Sequence, residues 1–464
     1  MKNLKSFSSL RLNLLAGVVI LFSGCDSFVD VDLPSSQLNA SSVFDEKATA
    51  NAAMTDIYSK LRDSGLLTGR ASGMSIALAN YADELDYYGA SVVDTQHFYN
   101  NSILPANGTV SEWWSSSYNI IYSANTVYEG VSASTKLSQA DKDQLMGEAL
   151  FVRGLVHFHL ANLFGNIPYI TTTSYEQNQV VHKMLVAEVY NHVIADLEAA
   201  KLLLPANYFG GLRIRPNKLV ASALLARVYL YNGNNAEAGN NASAVINENG
   251  TYSLVTDFDA AFLKGSTSTL WQLIPPNEGT NTEEGANLIF TSGPPSFDAL
   301  TTELVNAFEP GDLRKTHWTN AITDGTDTWY HSFKYKQQSF TGTTEEYSIV
   351  LRLPEMYLIR AEARAKGGFT IGAKDDLDVI RNLAGLPNTT ASNQQDILNA
   401  ILRERRVEFF TEGGHRFFDL KRASQLDTVL SLVKPGWSSN EALFPLPESE
   451  LLLNPNMLPQ NPGY

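Results

Sequence analysis

The chain has 464 residues, a formal net charge of −15, 44% hydrophobic residues and one cysteine. A lone Cys25 excludes an internal disulfide framework and any cysteine-based metal cluster. An acidic balance with no basic cluster repels phosphate, so nucleic acid is excluded as a partner, while the apolar share suffices for a substantial core.

In chain order, residues 1–24 read as an export signal. Lys2, Lys5 and Arg11 precede an apolar run, Leu14 to Phe22, which is too short for a bilayer span of about 20 residues. The run leads into "LFSGC" (21–25), which resembles the bacterial lipobox, where the cysteine thiol is acylated before cleavage on its amino side. Cys25 is then the lipidation site and the first residue of the mature chain, held on a membrane by several acyl chains without crossing it. Residues 25–43 are acidic and Ser/Asn-rich without period, as expected of a tether, and 44–464 reads as one folded unit.

Helical spacing begins near Phe44 and recurs over Trp113 to Val131, Lys142 to Phe164, Met184 to Leu204 and Pro216 to Tyr231. Ser138 precedes an acidic first turn, and Pro216 suits a first helical position. "ALLARVYLYNGNNAEA" (223–238) and "LIRAEARAKGGFTIGA" (358–373) repeat one another, with Ala226 and Ala361, Gly233 and Gly368, and Ala238 and Ala373 in matching places. Small side chains permit close helix approach and Gly closes the turn, so each copy predicts a tetratricopeptide-like helix hairpin. The expected fold is mostly α: a helical platform over 111–250 and 350–425, with loop-rich binding segments over 65–110 and 264–347 that contain short strands such as Leu270 to Ile274 and Trp329 to Tyr335. Long loops on a rigid frame are where binding concentrates.

"NYADELDYYGASVVDTQHFYNN" (80–101) gathers Asp83, Glu84, Asp86, Tyr87, Tyr88, His97, Phe98 and Tyr99. Aromatic faces stack on the CH faces of sugar rings, and carboxylates accept from sugar hydroxyls; a peptide can use both features. Trp329 and Tyr330, with Trp318 near them, offer either a second stacking surface or a strand that buries Trp329. Asp83 and Asp86 as a glycosidase pair are the competing reading, and a Ca²⁺ site on the same acids lacks an EF-hand signature. Trp113, Trp114 and Trp271 read as core.

In "RERRVEFFTEGGHRFFDLKR" (403–422), Glu404, Glu408 and Arg405 are expected to satisfy one another, and Arg416 to pair with Asp419, in a structural role shared by His415. His157 and His159 lie about 200° apart around a helix; they cannot chelate one ion and are placed at the core edge or surface. HExxH, GxSxG and phosphate-loop patterns do not occur. No catalytic residue, cofactor or metal is expected.

The stretches "GEALFVRGLVHFHLANLFGNIPYI" (147–170), "RPNKLVASALLARVYLYNG" (215–233), "LRLPEMYLIRAEARAKGG" (351–368), "VIRNLAGLP" (379–387), the charged segment above and "LFPLPESELLLNPNMLPQNPGY" (443–464) together resemble the SusD/RagB family. These are surface lipoproteins of Bacteroidota that capture nutrients for a SusC-like TonB-dependent outer-membrane transporter. The resemblance implies a SusD-like fold, a lipid-anchored protein on the outer membrane, no catalysis, and an oligosaccharide ligand. The alternatives are a peptide ligand in the same uptake system and, from another class, a tetratricopeptide-type scaffold that binds only proteins. The expected ligand contacts are Asp83, Glu84, Asp86, Tyr87, Tyr88, Phe98, Tyr99, Trp329 and Tyr330.

Overall fold

Several helix starts in this protein are written in side chains that satisfy the first free N–H groups. The computed structural model describes residues 42–90 and 94–464; the expected signal, Cys25 and the tether up to residue 41 lie outside them. Among the described residues, the helices of eight or more residues are α1 (Lys47–Asp63), α2 (Met74–Tyr81), α3 (Gly108–Ala133), α4 (Gln139–Phe164), α5 (Val186–Leu203), α6 (Lys218–Tyr231), α7 (Asn235–Ile246), α8 (Leu353–Lys366), α9 (Thr370–Leu383), α10 (Gln394–Glu408), α11 (His415–Arg422) and α12 (Leu426–Val433). Asn107, Ser138, Asn217 and Asn393 cap α3, α4, α6 and α10 by accepting from backbone N–H groups two or three residues on. The α6 cap corrects the expectation for Pro216: Asn217 takes the cap, and the helix begins one residue later.

From α3 to α9 each helix packs on the next, and α10 packs on α8 and α9. The two repeated segments form the hairpins α6–α7 and α8–α9. Gly233 and Gly368 adopt φ of +80° and +82° at the two turns, a conformation open to Gly without a Cβ clash. The hairpins stack through α7 and α8. Close approach of α4 to α5 depends on Gly147 and Gly154, where a Cβ would meet Leu204 and Leu197 at 2.9 and 3.0 Å. Buried ion pairs tie the platform together: Arg153 to Asp196 at 2.6 Å, Arg215 to Glu148 at 2.7 Å, and Arg227 to Glu355 at 2.6 Å.

His157 and His159 are fully inside, not at the core edge. His157 lies between the Arg153 carbonyl and the Ile170 N–H, stacked on Tyr169. Burial pulls both imidazoles down to about 3, so they are neutral.

The irregular segments contribute two sheets. One pairs β2 (Thr269–Leu273) with β6 (Ser348–Arg352). The other has four antiparallel strands in the order β1 (Leu85–Tyr87), β3 (Asp298–Leu300), β5 (Thr328–Ser332), β4 (Thr319–Thr323). Its inner face covers an apolar cluster that includes Ile76, Leu85, Phe262, Leu300, Trp318, Phe308 and Phe410. Trp113, Trp114 and Trp271 are buried as expected, and Trp318 joins them. Among the described residues, no helix is long and apolar enough to cross a membrane.

Candidate functional site

The four-stranded sheet joins the two aromatic segments that lie more than 200 residues apart in the chain. β1 carries Asp86 and Tyr87, and β5 carries Trp329 and Tyr330; β3 lies between them. The register pairs Leu85 with Leu300 and Asp86 with Ala299. Since side chains alternate across a strand, Leu85 and Leu300 point into the core while Asp86 and the following Tyr88 point outward. Tyr88 donates its N–H to the Phe297 carbonyl, so Phe297 shares that outer face. Tyr88 is 41% exposed and Phe297 60%. Trp329 is half-buried against Gly293, where a Cβ would come within 2.2 Å of the indole. The Trp329 side chain lies beside the Tyr88 hydroxyl and opposes the rise of its pKa.

Asp86 is half-buried and accepts from the Tyr99 hydroxyl at 3.3 Å. Burial raises the Asp86 carboxyl, and the Lys434 charge opposes the rise. Lys434 sits with Nζ 3.9 Å from the centre of the Tyr99 ring and donates to the Asn80 carbonyl at 2.8 Å; burial lowers it to about 8. Burial, and then the Asp86 charge, raise Tyr88 and Tyr99, so both hydroxyls stay protonated and can donate. The outer face thus presents three rings, a carboxylate and two phenol hydroxyls. This is the apolar-plus-acceptor chemistry that a polyhydroxylated ring requires.

Several expected contacts belong elsewhere. Asp83 is 5% exposed and bound by Arg416 Nε at 2.7 Å, Arg416 Nη2 at 2.8 Å and Arg406 Nη2 at 2.7 Å. Burial pushes its carboxyl up, but Arg416 and Arg406 outweigh that and hold it below the usual range. Glu84 is 1% exposed beneath the Thr411 N–H. Phe98 is wholly buried among Tyr81, Trp113 and Phe444. These three are structural and cannot touch a ligand. Tyr330 is half-buried and leans on the core cluster under the sheet, and the Tyr87 hydroxyl folds back over Gly89; neither shares the outer face. For Trp329 the strand reading holds, yet the ring is only half-buried. Phe297, a lone ring in "GPPSFDAL", and Lys434 carry no sequence signal that singles them out.

Glu84 supplies a pH signature. Burial, then the Asp83 charge, raise it from its ordinary 4.5 to about 8. The folded chain therefore holds a proton that the unfolded chain has released, and stability is lost as pH rises from about 4.5 to about 8. In urea melts at pH 5 and pH 8, Glu84→Gln should gain stability relative to wild type as pH rises. A constant difference between the two would contradict this assignment.

The charged segment is structural, with different partners from those expected. Asp419 pairs with Arg405 at 2.7 Å and Arg422 at 2.8 Å, not with Arg416. Glu404 and Glu408 pair with Arg314 at 2.7 and 2.9 Å, not with Arg405. Among the described residues no group of His, Cys, Asp and Glu could hold a metal ion.

Comparison with known proteins fits this geometry. The family model SusD-like_3, described as "Starch-binding associating with outer membrane", matches residues 28–230, and the SusD family model matches 306–464. SusD-like protein P2 of Formosa agariphila is 26% identical over 418 residues, 77% of this chain and 81% of that protein. A solved laminarin-binding SusD-like protein is 26% identical and superposes with a TM-score of 0.76 over 90% of this chain and 99% of its own. A SusD superfamily protein from Bacteroides vulgatus, 21% identical, has a TM-score of 0.77 over 90% of this chain and 99% of its own, a likeness of fold. With both family models in order along the chain and the helix-hairpin fold in place, this protein belongs to the SusD/RagB family.

Proposed function

We propose that the protein binds an oligosaccharide on the outer face formed by Tyr88, Phe297 and Trp329, with Asp86 and Tyr99 accepting from and donating to its hydroxyls. The observation that carries this reading is the convergence of exposed rings from two distant segments onto one sheet face. A scaffold that binds only proteins through its helix hairpins has no need of such a face. The family description names starch binding, and a relative of matching fold binds laminarin; both support a glycan, and a β-glucan is the first class to try. The glycosidase reading weakens because Asp83, half of the expected pair, is locked between two arginines. We read the protein as a capture protein, not an enzyme. It is anchored through Cys25 at the outer-membrane surface and delivers its ligand to a SusC-like TonB-dependent transporter.

A binding screen with α- and β-glucan oligosaccharides and with peptides tests this. The reading expects saturable binding of at least one oligosaccharide, lost in a Tyr88→Ala/Trp329→Ala double variant. Binding of peptides alone would contradict it.

A further inference from the structure

Beside α10 and α11 lies a cavity of about 330 Å³ lined by Asn399, Leu402, Arg403, Arg406, Arg416 and Gln425. Three guanidinium groups and two amides face it, with no carboxylate among these residues, in a chain of net charge −15. Asp83, buried behind the wall, is the single carboxylate bound to Arg406 and Arg416. Glu303 acts on Arg406, Asp419 on Arg416 and Glu309 on Arg403 without an ion pair to them, and Asp419 is already paired with Arg405 and Arg422. Among the described residues, Asp83 alone therefore pairs directly with the wall arginines, and exposed Arg403 has no ion-pair partner of its own. Glu84, next in the chain, adds no charge there, because at about 8 its carboxyl keeps a proton at neutral pH. Arg406 Nε is buried with no hydrogen-bond partner among the described residues. Burial, aided by the like charge of Arg416 and opposed by Asp83, lowers this guanidinium below its usual range, as expected of a cation short of counter-charge.

We propose that this cavity is an oxyanion site that takes a carboxylate or sulfate substituent of an acidic saccharide. Guanidinium donors match both groups in bidentate geometry, and the amides of Asn399 and Gln425 add neutral donors. The volume is at the lower end for small-ligand pockets and suits one substituted sugar residue. Exposed Glu303 is felt by Arg406 and equally by Asp86 and Tyr99, so the cavity and the rim of the aromatic face share a neighbour. That the oxyanion is carried by a saccharide rests on the reading above; the affinity of the cavity for an oxyanion does not.

Calorimetric titration at low ionic strength with inorganic sulfate, glucuronate, glucose 6-sulfate and glucose tests the site. Arg403 is exposed and enters none of the ion pairs that hold the fold, so Arg403→Gln should fold normally. The expected result is saturable binding of the three anions, much weaker binding of glucose, and a loss of about tenfold in anion affinity in Arg403→Gln. The Tyr88→Ala/Trp329→Ala variant should bind inorganic sulfate as wild type does. No saturable anion binding, or anion binding indifferent to Arg403→Gln, overturns the oxyanion site and leaves the aromatic-face reading standing. Arg403-dependent sulfate binding in a protein that binds no saccharide of either charge supports the cavity and refutes the saccharide reading.

Discussion

Replacing Arg314 with methionine is expected to destabilise the protein by about 3–5 kcal/mol, the cost of stranding buried charges by removing their partner. Arg314 has no exposed surface. It donates to both oxygens of Asp312 at 2.9 and 2.8 Å, and it pairs with Glu404 at 2.7 Å and Glu408 at 2.9 Å. Glu408 also pairs with Arg352, whose Nε reaches Glu412 at 2.8 Å. Lys334 donates to the carbonyls of Glu408 and Phe410 at 2.8 and 2.9 Å. This network fastens the strand-bearing insert to α10, and thereby sets the sheet on the platform.

Its pH dependence has a definite sign. Burial would raise the Glu408 carboxyl, but Arg352 and Arg314 outweigh burial and hold it at about 2. A depressed folded value means stabilisation that is present above about 4.5 and lost as pH falls towards 2. Urea melts should show wild type losing stability over that range and Arg314→Met losing less. A variant within about 0.5 kcal/mol of wild type, the range of ordinary surface changes, would show that the network does not hold the insert.

Loss of both outer-face rings is the second large effect. Tyr88→Ala/Trp329→Ala should lower oligosaccharide affinity at least tenfold, about 1.4 kcal/mol, because stacked aromatics are the binding hot spots of such a surface. The effect on folding should be small, since Tyr88 is 41% exposed and Trp329 half-buried. Each single variant should lose less than the pair. Tyr330→Ala, on the inner side of the same strand, should mainly destabilise, because that ring leans on the core. Unchanged affinity in the double variant would move the site away from this face.

The helical platform was legible because its signals are local. Asn and Ser caps, apolar spacing and the Gly233 and Gly368 turns each act within a few residues. The site was legible only in composition. "DELDYY" contains three acids that look equivalent in sequence, yet Asp86 reaches the surface while Asp83 and Glu84 do not. What separates them is Arg406 and Arg416, 323 and 333 residues beyond Asp83, and the Thr411 N–H, 327 residues beyond Glu84, which no local pattern reveals. Phe98 was misplaced for the same reason, since its partner Phe444 comes from the far end of the chain. Alternation along "WYHSFKYK" puts Trp329 and Tyr330 on opposite faces, yet both are expected as contacts and the strand reading buries Trp329. It is the pairing of Tyr330 with Leu300 that turns Tyr330 inward and Trp329 outward.

Hydroxyl-radical footprinting of the protein with and without an oligosaccharide identified by the screen tests the central claim most directly. The account predicts that Tyr88, Phe297 and Trp329 are protected together on binding, while the exposed rings of Tyr175 and Phe369, on other parts of the surface, keep their reactivity. Saturable binding that leaves Tyr88, Phe297 and Trp329 as reactive as in the free protein would contradict it.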